Sequence, residues 1–196
     1  GDLNADGITD FVVSETFGSG AFHYFEGAGP YVVERTGSAN PLNGVSSGGF
    51  PLPTLGDLDA DGDLDLVAGD NYGAPLRYYE NTGSATHGAF VQRTGSANPL
   101  NGAVVGRPGP ALGDVDGDGD LDLVRGNEDG GTTLYLSHGA GGRSTPTPAW
   151  TGPAENTKDV AVGDIDGDGD LDLVCANLNH AATLYLNQGG VFSSSP

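Results

Sequence analysis

GDVDGDGDLDLVRG, residues 113–126, decides how the rest of the chain is read. Three other stretches align with it: GDLNADGITDFVVS at 1–14, GDLDADGDLDLVAG at 56–69 and GDIDGDGDLDLVCA at 163–176. The copies start 50 to 57 residues apart. Self-similarity at such a period is the mark of a repeat architecture. A second echo follows each copy: HYFEGAG from His23, RYYENTG from Arg77, TLYLSHG from Thr133 and TLYLNQG from Thr183. A third occurs twice only, as VERTGSANPLNG from Val33 and VQRTGSANPLNG from Val91.

Around each acidic copy the sequence reads as short strands bounded by Gly, Asn and Ser turns. Leu52–Leu55, Pro110–Leu112 and Val160–Val162 precede a copy; Leu64–Ala68, Leu121–Arg125 and Leu171–Ala176 close one. Leu76–Glu80 and Phe90–Arg93 follow in the second unit, and Val191–Pro196 matches a last strand. No window carries a helical stripe. The expected fold is all-β and propeller-type: one repeat domain of four blade-like units, each of about four antiparallel strands. The units are placed at 1–51, 52–108, 109–158 and 159–196, the first lacking its first strand. They either close alone or belong to a larger propeller or assembly; a solenoid of stacked sheets is the alternative.

The spacing Asp-x-Asp/Asn-x-Asp-Gly-x-x-Asp carries the chemistry. It is filled by Asp2, Asn4, Asp6 and Asp10; by Asp57, Asp59, Asp61 and Asp65; by Asp114, Asp116, Asp118 and Asp122; and by Asp164, Asp166, Asp168 and Asp172. Alternate carboxylates in a tight loop converge on one point, and Gly at the sixth place permits the turn. Ile8, Asp63, Asp120 and Asp170, at the seventh place, can each add a backbone carbonyl oxygen. This is the oxygen-ligand logic of a calcium loop, without the Glu at the twelfth place of an EF-hand. About four Ca²⁺ are expected. Mg²⁺ is disfavoured because it keeps its waters and seldom uses an all-protein cage. Asn4, Ile8 and Thr9 make the first site the weakest.

The charge agrees. The chain has 27 Asp+Glu against 7 Lys+Arg, a net charge of −20, and 18 of those acids lie in the four loops. Such a balance repels phosphates and excludes a generic nucleic-acid binder. No apolar run is long enough for a membrane span, and Lys158 stands in no phosphate-binding loop sequence. With 35 Gly and 12 Pro, composition alone would raise disorder, but these glycines are periodic. The chain contains no Met, so a processed product or a piece of a longer protein is expected.

At these motifs the chain resembles the VCBS / FG-GAP-like repeats of integrin-α-type calcium-binding β-propellers, over essentially its whole length. The resemblance implies that each acidic loop joins the first and second strands of a blade. It also implies a secreted or cell-surface protein, adhesive or carbohydrate-binding, or a propeller appended to an enzyme.

Other candidates have plainer readings. Gly44-Val45-Ser46-Ser47-Gly48 matches a nucleophile elbow in form, but sits in a loop with no helix to follow. His23, His87, His138 and His180 are scattered, each read as a surface or turn residue. Glu15, Glu26, Glu80 and Glu128 are read as free carboxylates with no catalytic pairing. Cys175 is expected as a small buried hydrophobe. Phe25, Tyr79, Tyr135 and Tyr185, with Tyr24, Tyr78, Leu134 and Leu184, are read as blade packing. Trp150, outside the echoes, is the candidate for an exposed ligand contact. Ser144–Pro148 and Ser193–Pro196 are candidates for O-linked sugars.

The function expected is that of an extracellular, non-catalytic calcium-binding repeat protein in adhesion or structural assembly. Its partners would be other protein chains, through self-association, filament formation or strand exchange at the incomplete first blade. A lectin-like propeller that binds glycans, and the accessory propeller of a secreted hydrolase or lyase, are the alternatives.

Overall fold

The computed structural model describes residues 1–15, 18–70, 75–84, 87–102, 109–128, 130–138 and 147–194. Each echo of the repeat folds as one antiparallel sheet. The first holds β1 (Phe11–Ser14), β2 (Phe22–Ala28) and β3 (Tyr31–Arg35). The second holds β4 (Pro51–Gly56), β5 (Asp65–Asp70), β6 (Arg77–Asn81) and β7 (Phe90–Arg93). The third holds β8 (Pro110–Gly113), β9 (Asp122–Arg125), β10 (Gly131–Tyr135) and β11 (Trp150–Ala154). The fourth holds β12 (Thr157–Gly163), β13 (Asp172–Asn177), β14 (Thr183–Asn187) and β15 (Phe192–Ser194). Strand order follows chain order in every sheet, so each is a meander. The acidic loop joins the first two strands of sheets two, three and four, and leads into β1 in the three-stranded first sheet. The fold is all-β, with blade-like sheets arranged as part of a propeller.

The core lies between the sheets rather than within one. In β5, Leu66 packs with Phe22 and Tyr79 toward the first sheet, while Val67 packs with Tyr78, Leu123 and Tyr135 toward the third. In β9, Leu123 faces back to the second sheet and Val124 forward to Leu173 and Tyr185 of the fourth. A strand covered on both faces reads as an unbroken apolar run, which is what Asp-Leu-Val encodes. β1 has cover on one face only: Phe11 is 53% exposed and Val13 50%.

Each TGSANPLNG connector ties its blade to the next. Asn40 Oδ1 accepts the Leu42 N–H (2.9 Å) and its amide donates to the Phe22 carbonyl (3.2 Å). This turn drives Leu42 into the cluster with Leu66. Asn98 holds Leu100 in the same way (2.9 Å), within the cluster of Leu58, Tyr78 and Leu123.

Neighbouring blades also interlock at the glycine that opens each of the first three acidic copies. A Cβ on Gly56 would stand 2.8 Å from Leu121 Cδ1 of the next copy, and one on Gly113 2.8 Å from Leu171 Cδ1. Gly1 meets Leu64 in the same manner. Any side chain there would collide with the leucine two places past the following loop's central glycine.

Trp150 departs from expectation. It opens β11, pairs with Leu134, and meets Tyr185 and Phe192 edge-on at centroid distances of 5.2 and 5.1 Å. It packs the third blade against the fourth, where the TGSANPLNG connector has no copy. Tyr24, Tyr78, Tyr79, Tyr135 and Cys175 are buried as blade packing requires. Residues 144–146 of the Ser/Thr/Pro run, and residues 195–196 of the tail, lie outside the described residues.

Leu42→Ala and Leu100→Ala should each lower the unfolding free energy by about 2–5 kcal/mol in denaturant titration. A loss below about 1 kcal/mol would show that the connectors do not bridge the blades.

Candidate metal centres

The four loops fold by the same local hydrogen bonds. The first Asp accepts the N–H of the central glycine: Asp2 from Gly7 (2.8 Å), Asp57 from Gly62 (3.0 Å), Asp114 from Gly119 (3.0 Å) and Asp164 from Gly169 (3.2 Å). The third-place residue accepts from the fifth: Asn4 from Asp6, Asp59 from Asp61, Asp116 from Asp118 and Asp166 from Asp168, at 3.0–3.3 Å. The fifth-place Asp accepts from the seventh-place N–H of Ile8, Asp63, Asp120 or Asp170, at 2.8–3.0 Å. The central glycines turn the chain at φ of 84–99°, a conformation that glycine adopts without strain. Side-chain oxygens are thereby drawn to the inside of each turn.

The ninth-place Asp does something different. Asp10, Asp65, Asp122 and Asp172 are all but inaccessible to solvent. One oxygen of each accepts the third residue of its own loop copy: Leu3 (2.8 Å), Leu58 (3.0 Å), Val115 (2.8 Å) and Ile165 (2.8 Å). The other reaches across the sheet to the N–H of Gly27, Asn81, Ser137 (each 2.8 Å) or Asn187 (2.9 Å). Tyr24 and Tyr78 add a hydroxyl donor to Asp10 and Asp65 (3.0 and 2.9 Å). In the last two sheets leucine replaces that tyrosine. Asn187 also donates to the Val115 carbonyl of the preceding loop (2.8 Å), linking one blade's strand to its neighbour's acidic turn.

Carboxylate oxygens gather within 4.8 Å of one another in Asp57, Asp59 and Asp61, in Asp114, Asp116 and Asp122, and in Asp164, Asp166 and Asp172. In the first loop the Asn4 amide donates to Asp6 (3.3 Å), so one acceptor of that ring is spent on a neighbour. Asp114 Oδ1 is buried and has no hydrogen-bond donor. An ionised oxygen in that state carries its full desolvation penalty unless a cation meets it. The donor set of hard carboxylate oxygens, with an orphan among them, fits a divalent cation.

Burial pushes Asp65 and Asp122 up from 3.8 to about 6. Asp172 is held low by the N–H groups of Asn187 and Ile165. Burial and the adjoining charges raise Asp59 and Asp166.

One member of these clusters escapes the motif. His138 Nδ1 lies 2.9 Å from Asp118 Oδ2, and His138 joins Asp116 and Asp118 in a fourth donor group. The echo TLYLSHG places His138 at the same register as Ala28, Thr82 and Gln188, just past the strand end that caps the ninth-place Asp. That register is the signal by which it could have been found. His23 lies in β2, while His87, His138 and His180 lie in connections of the second, third and fourth sheets. The four glutamates expected to be free are paired. Glu26 and Glu80 take bidentate bonds from Arg35 and Arg93 (2.7–2.9 Å), Glu15 meets His23 (3.4 Å), and Glu128 pairs with Lys158. The reason is register: Tyr78 faces Arg93 and Glu80 faces Val91, so Glu80 and Arg93 are diagonal neighbours on one face. Ser46, in the elbow-like segment, forms an isolated bridge with Ala21, and β4 follows rather than a helix.

The profile of the FG-GAP-like repeat matches residues 2–68, 57–125 and 114–175. The chain belongs to the FG-GAP-like repeat family. Each match runs from one acidic loop through the strand after the next, so successive matches overlap by a loop. A search of curated proteins finds no match. Among solved structures, a lectin of Agrocybe aegerita, described for its specific recognition of non-reducing terminal N-acetylglucosamine, has a TM-score of 0.56 at 22% identity, over 98% of this chain and 50% of the lectin. The Tc holotoxin pore of Photorhabdus luminescens has a TM-score of 0.47 at 24% identity, over 98% of this chain and 9% of that one. The chain thus spans half the length of the lectin. At 22% identity the likeness to the lectin is one of fold.

The raised carboxyls set a pH dependence for the metal-free protein. Between 3.8 and about 6 the folded state holds protons on Asp65 and Asp122 that the unfolded chain has released, so stability falls as pH rises through that window. With chelator present, lowering the pH from about 7 to about 5 should raise Tm in scanning calorimetry. A Tm that drops over this interval would contradict the burial of these groups in the apo fold.

Proposed function

We propose that this chain is a calcium-binding, non-catalytic part of an extracellular propeller that acts in adhesion or assembly. The observation that carries the reading is the repeated acidic loop: four copies in one register, three with convergent carboxylates, one of these with a buried oxygen that no donor meets. Calcium is favoured over magnesium by the dense all-oxygen protein donor set, since magnesium keeps several of its waters. The ions lower the repulsion among crowded carboxylates and rigidify the turn between the first two strands. The assembly role is supported by exposed apolar residues on the first sheet and in the fourth repeat. Phe11 and Val13 leave the face of β1 open where the inner blades meet a neighbour, and in the fourth repeat Ile165 is 51% exposed and Val191 65%. No helix among the described residues is long and apolar enough to cross a membrane. The paired glutamates and the helix-free serine segment favour a non-catalytic role.

Chelation should lower Tm sharply, and calcium should restore it. Each site filled at about 100-fold over Kd adds roughly 2.7 kcal/mol when the unfolded chain binds none. Calorimetric titration should resolve the first loop as weakest, since Asn4 removes a charge and Ile8 replaces a polar neighbour. An identical melt with and without chelator would end the calcium reading.

Glycan binding is a second reading. A cleft of about 270 Å³ lies between the first two blades, lined by Asn4, Tyr24, Glu26, Ser38 and His87 among others. Leu3, Ala39 and Pro41 join these polar groups in its lining, a mixture of apolar and polar contacts that suits a small polar ligand. N-acetylglucosamine, the sugar recognised by the structurally similar lectin, is the first to test. Saturable chemical-shift changes at Tyr24 and His87 would support this reading, and none at millimolar sugar would remove it.

A further inference from the structure

The third acidic loop differs from the others by an imidazole. His138 stands where the other sheets carry Ala28, Thr82 and Gln188. Donor atoms of Asp116, Asp118 and His138 lie within 4.8 Å of one another, whereas the other three groups hold carboxylates only. The members are fixed from several sides. Asp118 Oδ1 accepts the Asp120 N–H (3.0 Å), which turns Oδ2 toward His138 Nδ1 at 2.9 Å. Asp116 is backed by Gly190 of the neighbouring sheet's hairpin, where a Cβ would stand 3.2 Å from the Asp116 Cβ. His138 follows Ser137, whose N–H is bound to the buried Asp122 (2.8 Å), so the chain is anchored one residue before the imidazole.

We propose that Asp116, Asp118 and His138 form a site for a borderline divalent cation of the zinc class, a preference the carboxylate-only loops do not share. The inference rests on the reading of the acidic loops as cation sites and names a different ion for one of them. Calcium takes hard oxygen ligands, while imidazole nitrogen suits zinc and its neighbours in the first transition row. With ligand bonds of 2.0–2.1 Å, two donors of a tetrahedral zinc stand roughly 3.3 Å apart. The Nδ1–Oδ2 pair, at 2.9 Å, has only a few tenths of an ångström to open. A simple surface hydrogen bond between His138 and Asp118 would need no third donor; Asp116 supplies one, and water completes the shell on the exposed side. Asp116 also belongs to the Asp114–Asp122 group, so the two kinds of ion compete for this loop.

Co²⁺, a spectroscopic stand-in for zinc, tests this in calcium-free buffer with the wild type and with His138→Gln, which installs the residue of the fourth sheet. The wild type should bind one Co²⁺ with a visible d–d band that zinc displaces. In H138Q the band should vanish and affinity should fall about ten-fold or more, since losing even an outer-shell partner costs that much. Asp118→Asn should weaken it as well. The calcium-induced rise in Tm, measured on the same proteins, reports the calcium reading separately and should survive in H138Q. A Co²⁺ band of equal strength in H138Q, or none in the wild type, overturns the proposal. Absence of the calcium response with the band intact would instead overturn the calcium reading alone.

Discussion

The buried carboxylate at the ninth place of each loop is the constraint on which the blades depend. Asp10, Asp65, Asp122 and Asp172 each sit where a loop becomes a strand, and each accepts one N–H from the loop and one from the strand beyond. A single side chain therefore sets the shape of the acidic turn and its position against the sheet. Removing it would leave two buried N–H groups without acceptors, at about 1–3 kcal/mol for each. Desolvation of the carboxylate is the opposing term, visible in the raised Asp65 and Asp122. The N–H donors on both oxygens oppose it.

This arrangement divides labour within the motif. In the second loop the first, third and fifth residues gather their carboxylates, whereas in the third and fourth loops the ninth joins the first and third. The ninth belongs as much to the sheet, although Asp122 and Asp172 remain within reach of the clusters. Sequence spacing alone treats all four as equivalent ligands. Only the paired strand shows why the last acid is always Asp: Glu would push its oxygens past the two N–H groups that it must meet.

The repeat, the strands and the acidic loops were legible because each is written in local spacing. What escaped depends on pairing across strands. Glu80 looks free in sequence, yet the hairpin register sets Arg93 diagonally beside it. Trp150 looks isolated because its unit lacks the TGSANPLNG connector; it fills that gap, against Tyr185 and Phe192. His138 reads as a turn residue until the loop it faces is folded beneath it. In each case the missing information was which strand lies next to which, and by how many residues it is shifted.

The glycine–leucine interlock gives the stack a direction. Gly1, Gly56 and Gly113 each receive a leucine from the following copy, while Gly163 has nothing within 4 Å among the described residues. Thr9 occupies the place that leucine holds in the other three copies. Gly163 is thus an unfilled socket on the fourth sheet, and Thr9 a shorter, polar knob on the first. A second copy laid end to end would offer Thr9 to Gly163 and leave most of that socket unfilled. The socket at Gly163 has the room that a leucine fills at Gly56 and Gly113, so it suits a blade that carries leucine at that place better than this chain's own first.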